Sequence, residues 1–353
     1  MLLDRYLGRA VIAGIAVTAL VFAGLFLFID FARQLKTVGT ADYDALTALY
    51  YVLLMLPQRL FQLAPSVILV GTLLSLGAMA ASSELTVMRT AGCSIMRITR
   101  SVLQAGLLVI VVVVLLGEFV APLGIKQAQA LRVQALNQSV LVGGGQGLWL
   151  RDGARYINVR KIMPDRQLYD VYLYETGPSR QLQAVHHIRH AQPGGAGWLL
   201  HDIVSSEISA DGVASRSRQT QTTDTLVRAS LFDVLKSDPE EMSVRDLYQY
   251  TQYLQNNQLE ADSYRLQLWV KLLTPLTCAA MLLLALPLVF GAQARTGGAG
   301  QRVVIGLSIG IVFYVLNRLV SHLGLVYGAP PALSAALPPV LAVTLALYWL
   351  RRV

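Results

Sequence analysis

The residues best suited to chemistry are charges lying in or beside long apolar stretches. Asp30, Arg33 and Lys36 follow the first stretch, Glu118 ends the third, Lys126 and Arg132 lie just beyond it, and Arg318 falls inside the fifth. A charge in bilayer hydrocarbon costs about 3 kcal/mol unless it faces a cavity or partner, so each is a candidate functional residue. Arg and Lys are also the natural grips for phosphate groups. Lys36 can equally snorkel to a headgroup layer, whereas Arg318 lies deeper in its stretch.

A second pattern is Ser82-Ser83-Glu84-Leu85-Thr86-Val87-Met88-Arg89-Thr90-Ala91-Gly92. Ser82 or Ser83 can cap a short helix, Glu84 suits its positive N-terminal end, and Gly92 can close it. Glu84 and Met88, four apart, share one face. Such a helix can dock into a groove of a partner protein, or it can be a plain interfacial turn.

Other chemistry is missing from the sequence. No G-x-x-x-x-G-K-[ST] string exists to cradle ATP phosphates, and Gly143-Gly144-Gly145-Gln146-Gly147 lacks the lysine and reads as a loop before the first strand. There is no His-Glu-x-x-His. His186, His187 and His190 cluster without a carboxylate at ligand spacing and read as a surface group. Cys93 and Cys278 sit in a short loop and an apolar run, which implies no structural disulfide. No catalytic set is expected, and no cofactor of the chain's own.

The elements that hold the charges follow from composition. Of 353 residues, 54% are hydrophobic and only 14% charged, against about 25% charged in soluble chains. Mean hydropathy is +0.52. That excludes disorder, a disulfide scaffold and an ordinary soluble enzyme, and leaves a multi-spanning membrane protein. A span needs about 20 apolar residues. Six qualify: Leu7 to Phe31, Phe61 to Ala80 after an entry segment broken at Pro57, Ile98 to Val120, Leu268 to Phe290, Val303 to Leu323 and Leu333 to Leu350. The N-terminal stretch reads as a retained anchor. The net charge of +8 belongs to the apolar parts, because residues 122–265 carry fifteen charges of each sign. It therefore indicates membrane headgroups and no nucleic acid. Arginines at 5 and 9, at 89, 97 and 100, at 295 and 302, and at 351 and 352 fall on one side of the membrane, placing both termini in the cytoplasm.

Between the third and fourth spans, about Ala121 to Arg265, the chain reads as an outward-facing β domain. Tyr156–Val159, Tyr169–Tyr174, Leu182–Val185, Trp198–Ile203 and Gln219–Leu226 are short runs. Gly177-Pro178, Pro193-Gly194-Gly195 and Asp211-Gly212 punctuate them, which suggests a sandwich or jelly roll. Its edges either receive a partner's strand or belong to a self-contained domain. A helix capped by Ser243 follows, with Val244, Leu247, Tyr248, Tyr250, Thr251 and Leu254 on its apolar side.

Taken in order, several strings resemble the LptF/LptG permease family of the lipopolysaccharide-export ABC transporter. They are Leu3-Asp4-Arg5-Tyr6, Gln34-Leu35-Lys36, Ser83-Glu84-Leu85, Ala91-Gly92, Glu118 with Val120-Ala121-Pro122, Gln146-Gly147-Leu148-Trp149, Trp269-x-Lys271, Phe313-Tyr314-Val315-Leu316 and Val326-Tyr327-Gly328 with Pro330-Pro331. The resemblance implies a membrane α + β fold of six transmembrane helices, three plus three, with a periplasmic β-jelly-roll-like domain inserted between helices 3 and 4. It divides the chain into residues 1–121 with a coupling helix near 82–92, 122–265, and 266–353. It implies a permease subunit in the inner membrane of a Gram-negative bacterium, paired with an LptF-like permease and two LptB-like ATPase subunits, which hold the ATP and magnesium. An LptC-like jelly-roll protein and an LptA-like bridge complete the route.

In such a system lipopolysaccharide is drawn from the outer leaflet into a cavity and passed to periplasmic jelly rolls. The resemblance assigns ATPase coupling to Glu84, Leu85, Met88 and Arg89. Lys36 and Arg132 match basic family positions that meet the lipid's phosphates, and Phe28, Arg33, Lys126 and Arg318 are the further candidates for lipid contact, Arg318 meeting either lipid or an LptF-like helix. Asp30 stands where the resemblance implies a basic residue in some relatives and Arg33 where it implies an acidic one, which makes Arg33 the substitute grip; Gln129 stands where relatives can carry arginine. Val17, Val21, Leu25 and Phe28 give the first helix an apolar face for acyl chains. Gly306, Ser308 and Gly310 permit close packing of the fifth. Two rivals remain: a mechanotransmitting ABC permease, which usually has four spans, and an ion-coupled transporter using Glu118 and Arg318.

Overall fold

The computed structural model describes residues 2–136, 140–141, 148–152, 154–162, 167–177, 181–194, 197–209, 212–223, 238–290 and 299–351. Helices α1 (Leu2–Gln34) and α2 (Ala45–Ala81) form the first pair, followed by the short α3 (Glu84–Thr90). Then come α4 (Ile95–Leu115), a π-helical turn at Leu116–Val120, and α5 (Ala121–Ala135). After the sheet the chain returns through a 3-10 turn at Pro239–Glu241 to α6 (Val244–Asn256), α7 (Asp262–Phe290), α8 (Ala299–Val326) and α9 (Pro331–Leu350). Among the described residues, six helical stretches are long and apolar enough to cross a membrane: α1, α2, α4 through α5, α7, α8 and α9.

Two of them differ from the sequence reading. The second span is one continuous helix of 37 residues, with Pro57 and Pro65 inside it. Each proline removes an N–H that would bond the carbonyl four residues back, yet α1, α5, α7 and α8 all pack on α2 and hold it helical. The third span runs on past Val120 to Ala135, so the first fifteen residues assigned to the β domain are helix. The π turn at Leu116–Val120 absorbs the change in helical phase next to Pro122.

Helices α1 and α2 approach closely. A Cβ on Gly71 would lie 2.5 Å from the Ile15 Cα, and one on Gly14 would lie 2.6 Å from the Gly71 oxygen. Gly306 and Gly310 do the same for α8 against Val70, Leu73 and Ser66 of α2. The helical core is built on this post: Leu7, Val11 and Ile15 of α1 meet Ile68, Leu69 and Leu76 of α2, with Ile98, Cys278, Leu282 and Ala346 behind.

Among the described residues, seven strands make one antiparallel sheet: β1 (Val140–Leu141), β2 (Leu148–Asp152), β3 (Arg155–Ile162), β4 (Leu168–Thr176), β5 (Leu182–Gly194), β6 (Gly197–Ser209) and β7 (Gly212–Thr223). They pair consecutively from β3 to β7, with β1 and β2 both on β3. The last strand starts at Gly212, well before the expected Gln219; its tail at 224–226 lies outside the described residues. Its Arg, Ser, Gln and Thr residues are nearly all exposed, which is why no apolar alternation announces it. Asp170 and Asp202 adopt left-handed backbone (φ 52° and 54°) without loss of register. Buried positions consequently slip from alternate spacing to Leu168/Val171, Ile188/Ala191 and Leu200/Ile203.

Gly71→Ala should lower thermal stability by about 1–3 kcal/mol through overpacking against α1. Gly24→Ala, with open space around its Cβ, is the control and should melt with the wild type. Equal melting of both variants would disprove the close approach.

Candidate functional site

Several helices of the bundle carry uncovered apolar faces, and α1 and α8 are the barest. In the most apolar windows of α1 and α8 only 11% of residues are buried, against 61% in α2 and 56% in α7. The stripe Leu7, Val11, Ile15 and Thr18 of α1 is buried. The opposite face carries Val17, Val21, Leu25 and Phe28, the last 71% exposed. Helix α8 presents Ile311, Val312, Val315 and Leu319 likewise. These faces need lipid or another helix to cover them.

Polar anchors gather where these helices end. In the loop after α1, Tyr43 is 1% exposed and its hydroxyl donates to the Gln34 Oε1 at 3.2 Å. Burial pushes that phenol's pKa up, with the nearby Arg132 charge opposing. The Asp42 N–H donates to the Ala135 carbonyl, tying this loop to the end of α5. Arg132 lies 5.6 Å from the centre of the Tyr51 ring. Arg33, Lys36 and Arg132 therefore occupy the same end of the bundle, and both Arg33 and Lys36 are exposed.

Asp30 faces inward. Its carboxylate accepts from the Arg59 Nε at 3.0 Å and from Arg33 at 3.4 Å, with 12% of the side chain exposed against 72% for Arg33. Sequence reasoning passes over Arg59, although it is the only basic residue in the second apolar stretch, two residues after Pro57. The pairing satisfies Asp30 across α1 and α2 and leaves Arg33 with guanidinium surface to spare.

Glu118, Lys126 and Arg318 belong to a different group. Glu118 accepts from the backbone N–H groups of Val244 (2.9 Å) and Arg245 (3.4 Å), so it caps α6 together with Ser243. Lys126 lies 3.9 Å from Asp246. Arg318, expected deep in its span, instead reaches the turn before α6: it donates to the Tyr314 hydroxyl at 3.0 Å and pairs with Glu240 at 3.6 Å. Gln58 donates to the Glu240 carbonyl at 2.8 Å and Gln129 to the Glu241 carboxylate at 3.0 Å. The buried Lys271, also overlooked from sequence as a site residue, donates to the Met242 carbonyl and lies 5.4 Å from the Phe61 ring centre. The connector 238–246 is thus fastened to α2, the π turn, α5, α7 and α8.

Helix α3 forms where expected, with a different cap. Ser83 is the N-cap in left-handed backbone (φ 64°) and makes no side-chain cap bond. Ser82 donates to one Glu84 oxygen and Tyr6 of α1 to the other, each at 2.8 Å. Those bonds, Ser82 first, hold the Glu84 carboxyl below its ordinary value. Gly92 closes the turn at φ 90°. Leu85 is 3% exposed and Met88 packs on the helical core, while Thr86, Val87, Arg89 and Thr90 face outward. Leu85 and Met88 therefore seat α3 on its own bundle, and the outward residues are the ones free to meet another molecule.

On the sheet the histidines do have carboxylates near them: His187 lies 3.5 Å from Asp170 and His186 3.9 Å from Glu175. His187 stacks with Tyr172 and His190 with Tyr169 at ring distances of 4.5 Å, and among the described residues no group of three or more donors could hold a metal.

Fold and site together define a six-span membrane protein with a sheet inserted between its third and fourth spans and with exposed cations beside the uncovered apolar face of its first helix. Residues 5–352 match the lipopolysaccharide export system permease family LptF/LptG. The chain is 34% identical to the lipopolysaccharide export system permease protein LptG of Escherichia coli K12, over 99% of this chain and 98% of that protein. It is 29% identical to LptG of Haemophilus influenzae Rd, over 99% and 97%. The chain belongs to the LptF/LptG permease family and is a multi-pass inner-membrane protein of the lipopolysaccharide export system.

Two measurements test the geometry. In a double-mutant cycle, Asp30→Asn and Arg59→Gln should couple by about 1 kcal/mol or more, the range expected for a direct contact; additive effects would remove the pairing. Because the Glu84 carboxyl is held below its ordinary 4.5, its contribution is present above that value and lost as pH falls through the lower, folded one. The protection of the α3 amides, measured relative to the intrinsic exchange rate at each pH, should therefore fall as pH drops from about 6 to about 3. Glu84→Gln should flatten this response, and an unchanged response in the variant would refute it.

Proposed function

We propose that this chain is the permease half that extracts lipopolysaccharide from the outer leaflet and passes it to periplasmic β-jelly-roll proteins, with ATP hydrolysed by a partner. The observation that carries the reading is the uncovered apolar face of α1 beside Arg33, Lys36 and Arg132. Acyl chains need an apolar wall and phosphates need cations at headgroup height. Phe28 marks the wall and the three cations the rim. Lys126 and Arg318, engaged with the connector, meet the lipid only when that network opens.

The arginine-rich short loops support cytoplasmic termini and a periplasmic sheet. On that orientation α3 lies on the cytoplasmic side, where two LptB-like ATPases with ATP and magnesium would dock. Arg89 and Val87 would touch them directly, while Glu84, Leu85 and Met88 keep α3 rigid against α1 and α2. An LptF-like permease would complete the cavity across α1 and α8. An LptC-like protein and an LptA-like bridge would continue from the sheet.

Photocrosslinkers at Phe28, Arg33, Lys36 and Arg132 in cells should yield lipopolysaccharide adducts, and probes in β4 to β6 should yield them only with active ATPase. Labelling of neighbouring proteins with no lipid adduct at any position would overturn the proposal in favour of a permease that transmits force without carrying lipid.

A further inference from the structure

Helix α1 is held to the bundle unevenly along its length. Leu7, Gly8, Val11, Ile15 and Thr18 are buried, and then no residue is buried until Asp30. Between them Ala19 and Phe22 lean on the core only partly buried. Within the buried stretch the α1 and α2 backbones touch at Gly14 and Gly71, where neither glycine has room for a Cβ. At the far end the pair of Asp30 with Arg59 fastens α1 to α2. At the near end the Tyr6 hydroxyl donates to Glu84 of α3 at 2.8 Å, and Ser101 of α4 donates to the Asp4 carboxylate. Helices α3 and α4 meet at the turn closed by Gly92, so one corner grips the start of α1 twice. Tyr6, Val17 and Phe28 stand eleven residues apart, about three turns, and so share one face. All three are more than half exposed. The residue held by α3 therefore lies on the same stripe as the apolar wall.

We propose that α1 is a lever, which α3 moves through Tyr6, with the Gly14–Gly71 contact as fulcrum and the Asp30–Arg59 pair as the catch at its far end. Gly14 lies eight residues from Tyr6 and fourteen from Phe28, which makes arms of about 12 Å and about 21 Å at 1.5 Å per residue. A sideways shift of α3 then carries Phe28 the opposite way and nearly twice as far. A single helix of 33 residues does this as one stiff body. The free stretch between Thr18 and Asp30 has little packing to lose when it moves. Tyr6 acts as a positioning residue: it touches neither nucleotide nor lipid and sets where the wall stands. The inference rests on the docking of an ATPase at α3 proposed above, and gives that docking a mechanical consequence at the wall.

The test uses the complex of this chain with its partner permease and ATPase in nanodiscs. A spin label at Leu25→Cys is paired in turn with one at Leu123→Cys of α5 and one at Leu272→Cys of α7, all exposed positions, with Cys93→Ser removing the accessible thiol. Distances are read by double electron–electron resonance without nucleotide and with nucleotide trapped by vanadate. With Tyr6 intact, trapping should shift the Leu25 distances by about 2 Å or more, the size of ordinary helix shifts. Tyr6→Phe keeps the ring, loses the hydroxyl and should lose a large part of the shift while the ATPase still co-purifies. Adding Ser101→Ala should remove nearly all of it. Arg59→Gln should open the catch and move the nucleotide-free distances toward the trapped ones. No shift with Tyr6 intact, or an equal shift in the Tyr6→Phe complex, would overturn the lever. A lowered melting temperature in Tyr6→Phe with the full shift retained would also overturn it, because Tyr6 would then only stabilise. None of these readings needs lipid: a Tyr6-dependent shift without lipopolysaccharide adducts sinks the extraction reading alone, and adducts without the shift sink the lever alone. A complex with Tyr6 intact that does not retain the ATPase sinks the docking and the lever together.

Discussion

Within a bilayer the hydrophobic effect gives helices little reason to associate, so close packing and internal polar bonds must hold the bundle together. Here that burden falls on α2. Its Gly71 lets the α1 backbone come into contact, and its Val70, Leu73 and Ser66 receive the glycines of α8. Its length, 37 residues or about 55 Å of rise, carries it past the hydrocarbon to where Gln58 and Arg59 meet polar partners. Because α2 takes contacts on every side, it tolerates two internal prolines that would otherwise break it. Because it is central, α1 and α8 end up on the outside with one face each unused.

The polar bonds are concentrated at one end. The connector that returns from the sheet touches five separate helical segments through Glu118, Gln58, Gln129, Arg318, Lys126 and Lys271. Most of these contacts join a charged or amide side chain to a backbone group or a carboxylate, the stronger kind where water is scarce. This arrangement links the position of α8, an exposed helix, to the chain leaving the sheet. A movement of α8 away from α2 would have to break the Arg318–Glu240 contact, so α8 and the connector are mechanically linked. The coupling runs through named bonds within one chain and needs no long-range pathway.

Charge placement separates the charges satisfied within the chain from those left exposed. Asp30 and Glu118 both sit in apolar surroundings, and both are satisfied within the chain, by Arg59 and by the α6 N-terminus. Arg33 and Lys36 remain exposed beside an apolar wall. The proposed function calls for that combination: an apolar wall, and cations with surface to spare, as Arg33 keeps despite its contact with Asp30.

Sequence alone determined a great deal here. Hydropathy over about 20 residues defines a span wherever it occurs, and turn residues bound strands locally, so six spans, an inserted β region and the Ser243-capped helix were all legible. The positions of the outlying charges were legible for the same reason: each is anomalous within its own stretch. What sequence could not assign was partnership. Pro57 reads locally as a break, and only neighbours on all sides keep it helical. Asp30 and Glu118 read locally as costly charges, and only Arg59 and the α6 backbone, brought from 29 and 126 residues away, make them structural. Strand β7, the last of the sheet among the described residues, has nearly all of its side chains exposed and so no apolar alternation, and its limits follow from pairing with β6. Local free energies, which depend on a few adjacent residues, are written in the sequence. The pairing of charges depends on distances between segments, and the tertiary structure alone decides those.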